Sequence, residues 1–151
     1  MSVTYQQDFY TWTLEQADLL RQKRFNEIDL LHLVDEIEDM GKSEKRAMAS
    51  HIEILLMHLL KWQYQPFYIG RRSWELTIIE QRKRLIWHLK ENPGLKSKIK
   101  VMIERSYDLA RFGAEKETGI PMDCYPEQCP WSYEQFINSD FWPESVDHHE
   151  K

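Results

Sequence analysis

The sequence predicts an all-α single-domain bundle of about five helices, closed by a proline-punctuated, aromatic C-terminal arm. Three observations carry this expectation. Five apolar stretches repeat at helical spacing, most of them bounded by capping or stop residues, and only 5 Gly and 6 Pro occur in 151 residues. No strand-length run of alternating polarity stands between turn signals, and no internal repeat is visible.

The first helix is expected from Asp8 to Phe25, with Thr13 and Gln16 as a capping-box pair and Leu14, Ala17, Leu19 and Leu20 as its apolar residues. FNEIDLLHLVDEIEDMG reads as a second, short helix. Asn26 or Asp29 caps it, Leu30, Leu33, Val34, Ile37 and Met40 share one face, and Gly41 is the expected stop. Ser43 to Trp62 forms a third, with Met48, Ile52, Leu55, Leu59 and Trp62 inward and Pro66 beyond its end. A fourth helix starts at a Ser73 cap, turns Trp74, Ile78, Leu85 and Leu89 inward, and breaks at Asn92-Pro93-Gly94. Leu95 to Thr118 is the fifth, where small residues around Gly113 permit close helix approach and Gly119-Ile120-Pro121 ends the run. Residues 121–147 then form the arm, with a short helix from Ser132 and Gln135 through Ile137. Its aromatic residues are too many to leave in water, at roughly 2 kcal/mol for each large side chain buried. The single domain is thus expected over 1–147, with 148–151 as a disordered tail.

Composition narrows the function classes. No apolar run exceeds the four residues Ile54-Leu55-Leu56-Met57, far short of the roughly 20 that span a bilayer. The start MSVTYQQDFY has neither a basic nor an apolar leader region, so a cytoplasmic protein without a membrane role is expected. The net charge of −5 argues against a bulk nucleic-acid binder, yet it hides an asymmetry. Residues 1–40 carry 3 basic and 9 acidic side chains, residues 41–116 carry 16 and 8, and residues 117–151 carry 1 and 8. The basic middle includes Arg71, Arg72, Lys83 and Arg84, a candidate basic face with Lys90, Lys96, Lys98 and Lys100 around Trp87. Cys124 and Cys129, spaced C-x4-C without a second pair, suit a reduced thiol pair better than a metal site.

One place breaks the local rules. Asp35, Glu36, Glu38 and Asp39 crowd the end of the second helix, where the macrodipole is already negative and cations are favoured by about 0.3–1 kcal/mol each. On a helical wheel Glu36 and Glu38 fall at the rim of the buried face. His51 and His58 share the inward face of the third helix two turns apart, roughly 10 Å, too far to hold one metal ion. Arg82 and Gln81 point into the bundle from the fourth. A buried guanidinium calls for a carboxylate, so Arg82 is expected to pair with Glu36 or Glu38, and stranding one member of such a pair costs roughly 3–5 kcal/mol.

The stretches DFYTWTLEQADLLRQKRFNEIDLLHLVDEIEDMGKSEKR, HLLKWQYQP, RSWELTIIEQRKRL and TGIPMDCYPEQCPWSYEQFINSDFWPE resemble the bacterial domain-of-unknown-function family 29, abundant in cyanobacteria. The resemblance spans nearly the whole chain. It implies a small all-helical intracellular protein and no particular activity. The family's motif positions fall on Glu36, Glu38, Gly41, His58, Trp62, Trp74, Gln81 and Arg82.

Two functional classes follow. The first is a non-catalytic helical interaction or accessory protein with a buried carboxylate–arginine–histidine cluster, meeting a protein partner or a second copy of itself. The second is a small-ligand or metal-binding protein, or a hydrolase-type enzyme, built on Glu36, Glu38, His58 and Arg82. Nucleic-acid binding through the basic middle is a third reading. No cofactor and no metal ligand set is implied.

Overall fold

A computed structural model describes residues 4–146 of the chain, so the tail expected at 148–151 and the last residue of the expected arm lie outside the described residues. The fold is all-α and 72% helical, with no strand among the described residues. The helices are α1 (Phe9–Arg21), α2 (Leu30–Tyr64), α3 (Arg71–Glu91), α4 (Ile99–Thr118) and α5 (Tyr133–Ile137). Short 3-10 turns at Pro93–Lys98 and Met122–Cys124 precede α4 and follow it.

Contacts gather in two compact units, the first ending at Ser43 and the second beginning at Glu44. The first holds α1 and the start of α2. Asp8 caps α1 in place of the expected Thr13 pair, its carboxylate accepting the Thr11 backbone N–H at 3.1 Å and the Thr11 hydroxyl at 2.7 Å. The helix ends at Arg21, short of Phe25, because the chain turns left-handed at Lys23, with φ of 61°. The N–H groups of Lys23 and Arg24 return to Leu20 O and Leu19 O at 3.0 and 2.9 Å. Glycine is the usual residue for this motif, so a lysine there gives no warning in the sequence.

The expected second and third helices are one. Gly41 does not stop α2, which runs 35 residues from Leu30 to Tyr64, about 50 Å at 1.5 Å per residue. A single interior Gly costs only about 1 kcal/mol against Ala, and the KSEKRAM stretch after it is made of residues that tolerate or favour helix. α3 likewise starts two residues before Ser73, whose hydroxyl donates to Gly70 O at 2.9 Å instead of accepting from a helix N–H. The first turn expected for α4 is 3-10. Its end is as expected: Gly119 takes φ of 78°, a conformation that costs a Cβ-bearing residue about 1 kcal/mol or more, and donates to Glu115 O at 2.8 Å. The Ser132–Gln135 capping box closes in both directions, at 3.2 and 2.9 Å.

The second unit carries the core. Met48, Ile52, Leu55, Leu56, Leu59 and Leu60 of α2 pack with Ile78 and Leu85 of α3 and with Met102, Tyr107, Ala110 and Ala114 of α4. Ile120, Tyr125, Trp131 and Phe136 close it, so the arm packs as expected. A Cβ built on Gly113 would lie 2.7 Å from Met57 Sδ, the close approach anticipated at that position.

Candidate functional site

In the first unit, polar contacts fix how α1 meets the start of α2. Trp12 is buried and donates its indole N–H to Asp29 at 3.0 Å; Gln16 accepts the Asp29 backbone N–H at 2.7 Å. The same Asp29 carboxylate lies 2.7 Å from His32 Nδ1, and this contact, followed by the Trp12 bond, holds its pKa below the ordinary carboxylate value. Tyr5 stacks on His32 with ring centroids 4.2 Å apart and donates to Glu36; this hydrogen bond, then burial and the nearby carboxylate charge, push the phenol up to about 12. Tyr5 thus meets His32 and Glu36 while Gln16 meets Asp29, so the two helices run antiparallel as a hairpin.

That geometry leaves one side open. Counted at 100° per residue, Phe9 and Leu20 lie about 60–80° round α1 from Trp12, and Leu30, Val34 and Ile37 lie about 80–140° round α2 from Asp29, in the same rotational sense. On antiparallel helices, equal senses mean one common side. All five are exposed, with Leu30 at 65% and Ile37 at 65%, and Met40 next to them is at 67%. The six residues that continue the stripe from Met48 to Leu60 are at 0%. Asp35 and Asp39 fall on the opposite side of α2 and Glu38 on its back.

Of the expected cluster, Glu36 and Glu38 belong to the first unit and His58, Gln81 and Arg82 to the second. Glu36 binds Tyr5, and Glu38 is exposed with no ion pair among the described residues. Arg82, 3% exposed, has no carboxylate partner among the described residues: its Nε donates to Phe136 O at 2.8 Å and its Nη2 to Phe141 O at 2.5 Å. Sequence reasoning placed the guanidinium inward correctly and mistook what it meets, because a turn of backbone carbonyls is invisible before the arm is folded. Trp142 lies under Arg82 at 5.1 Å and against Trp62 at 4.8 Å, and the Arg71 guanidinium lies over the Trp62 ring at 3.6 Å. Burial pushes both guanidinium pKa values down. Arg82 Nη1 and Arg71 Nε have no hydrogen-bond partner, a cost that stacking on the indole faces offsets in part. Gln81 accepts from His51 Nδ1 at 2.7 Å, and His58 Nδ1 donates to Ile54 O at 2.8 Å. Trp74 stacks on Tyr68 at 4.6 Å beneath Lys61. Arg82 and Trp62, with Arg71 against Trp62, form a clamp on the arm.

A family model described as "Domain of unknown function DUF29" matches residues 4–142. The chain belongs to the DUF29 family. No curated protein and no solved structure matches it.

In this DUF29 chain the candidate basic face is divided. Arg71 donates to Trp62 O at 2.7 Å and belongs to the clamp, while Arg72 and Arg84 pair with Glu75 at 2.7 Å and Glu80 at 3.6 Å. Lys83 and Trp87 stay exposed. Two buried cations escaped sequence reasoning. Lys61 of α2 pairs with Glu117; Arg111 donates to Met122 O at 3.0 Å and Glu127 O at 3.4 Å, a second grip on the arm. Among the described residues no group of His, Cys, Asp and Glu could hold a metal ion, and no helix is long and apolar enough to cross a membrane. A half-open groove of about 1310 Å³ runs between α4 and α5, with Ile99, Ile103 and Tyr107 on one wall and Trp131, Tyr133 and Ile137 on the other. Lys96, Lys100, Glu104, Asp108, Glu127 and Glu134 also line it, none in an ion pair among the described residues.

Proposed function

We propose that this DUF29 protein is a non-catalytic helical interaction module of the cytoplasm, an accessory protein that meets another protein through the open side of its N-terminal hairpin. One observation carries the reading: the apolar stripe of α2 is buried completely from Met48 onward and left largely bare from Leu30 to Met40. An uninterrupted patch of this kind is rare on a monomer that works alone. Free Cys124 and Cys129 support a reducing compartment. The enzyme or ligand-site alternative on Glu36, Glu38, His58 and Arg82 draws less support, since His58 Nδ1 and two of the Arg82 nitrogens are engaged by backbone carbonyls and Glu36 by Tyr5. Nucleic-acid binding draws less support than the hairpin, because Arg72 and Arg84 are already paired with acids of their own helix.

A photo-crosslinking amino acid placed at position 37, with position 38 on the back of the helix as control, tests the proposal in living cells. Covalent protein adducts from position 37 and none from 38 are expected. Efficient incorporation without any adduct at 37 ends the interaction reading.

A further inference from the structure

The hairpin's open side restricts what can cover it. It carries no ionisable group at its centre: Phe9 and Leu20 of α1 and Leu30, Val34, Ile37 and Met40 of α2 are all apolar, and Asp35, Glu38 and Asp39 lie on other faces of α2. Glu36 is turned toward Tyr5 and bound there. A partner therefore needs no compensating charge to sit on this side, and an identical acidic hairpin can do so without bringing like charges together.

The size fits as well. The exposed fractions of these six side chains sum to on the order of 600–700 Å², close to the ~800 Å² per partner of a standard stable interface. The unit also lacks a core of its own. Among its described residues Trp12 is the one buried large apolar side chain, whereas chains of about 40 residues ordinarily need a disulfide, a metal or association to remain folded. Two antiparallel helices with one bare apolar side are half of a four-helix bundle, and a two-fold axis supplies the other half from the same sequence.

We infer that the occupant is a second copy of this chain, and that two N-terminal hairpins pack face to face as a four-helix bundle in a two-fold homodimer. The inference rests on the interaction reading above and names its partner. Spacing supports the seam: Leu30, Leu33, Ile37 and Met40 follow the 3-4-3 pattern of helices that mesh knobs into holes, and Val34 and Gly41 flank it. A Cβ at Gly41 would meet nothing within 4 Å, so a facing helix has room to come near.

Sedimentation of the full chain at micromolar concentration tests this. The parent is expected to be a dimer, and Ile37→Glu to weaken association by at least about tenfold while keeping the parent's far-ultraviolet helicity. Ile37→Ser serves the same purpose if the charged variant loses helicity, and Asp35→Lys, on the acidic side, is expected to stay dimeric. A parent that is monomeric at high micromolar concentration overturns the inference, as does a dimer that both Ile37 variants leave intact. The two proposals fail differently. Adducts in cells at position 37 that contain another protein, with a monomeric purified chain, sink the second copy and leave the interaction module standing; an absence of adducts at 37 sinks both.

Discussion

Arg82 shows how a buried cation can do without an anion. Two carbonyls and an indole face share the task that a carboxylate would perform, and because no carboxylate is stranded when it is removed, the loss is smaller than for a broken buried ion pair. Arg82→Met is expected to cost about 3 kcal/mol, the low end for two hydrogen bonds from a charged group, and to speed proteolysis near Phe141. Arg82→Lys should behave much like the methionine variant, since one ammonium cannot reproduce the fork that reaches Phe136 O and Phe141 O together. Denaturant melts and limited proteolysis check both. His58 offers a pH test. Burial, the largest cause, lowers its pKa in the folded protein below 6.5, with Lys61 adding to the effect and the Ile54 contact opposing it. As pH falls through 6.5 the unfolded chain takes up a proton that the native state refuses. Stability therefore declines from there and levels off below the folded value. His58→Leu should flatten the stability curve between about pH 7 and pH 5, measured by chemical denaturation across that interval; an unchanged slope would refute it.

α2 is the element on which local signals mislead. Gly41 reads as a stop because glycine is the usual helix terminator, but termination needs a left-handed turn and orphan carbonyls met elsewhere, and neither occurs there. Since Gly41 is exposed in mid-helix with open space around it, Gly41→Ala should raise stability by about 0.5–1 kcal/mol. Were the chain broken at Gly41, the same change would destabilise, so a thermal melt with far-ultraviolet circular dichroism decides between the two. The periodic positions were legible: the stripe from Met48 to Leu60, Ile78 and Leu85, and the Ser132–Gln135 box could be read because a 3.6-residue period and a cap are properties of neighbours in sequence. The site was less so. Arg82 could be placed inward by its angle to Ile78, whereas its partners lie 54 and 59 positions away on an arm without period. The bare side of the hairpin was also hidden, because a wheel identifies an apolar face and says nothing of whether anything covers it.

At the scale of the whole molecule the arm is part of the core. Tyr125, Trp131 and Phe136 are almost fully buried, and at roughly 2 kcal/mol for each large apolar side chain their loss rivals the 5–15 kcal/mol net stability usual for a domain. Deleting the chain from Pro121 onward should yield a product that binds hydrophobic dyes and aggregates; a truncated protein that melts cooperatively near the parent's temperature would show the arm to be dispensable. The distance along the chain between Arg82 and the carbonyls it holds also has a meaning during synthesis. Translation delivers α2, α3 and α4 before the segment that covers them, and long-range closure of this kind is slow to form. For the time the ribosome needs to pass from Thr118 to Phe141, the nascent protein carries a finished set of helices with an unsealed interior. A message truncated in that interval leaves the cell with a polypeptide fit for chaperones and proteases and for little else.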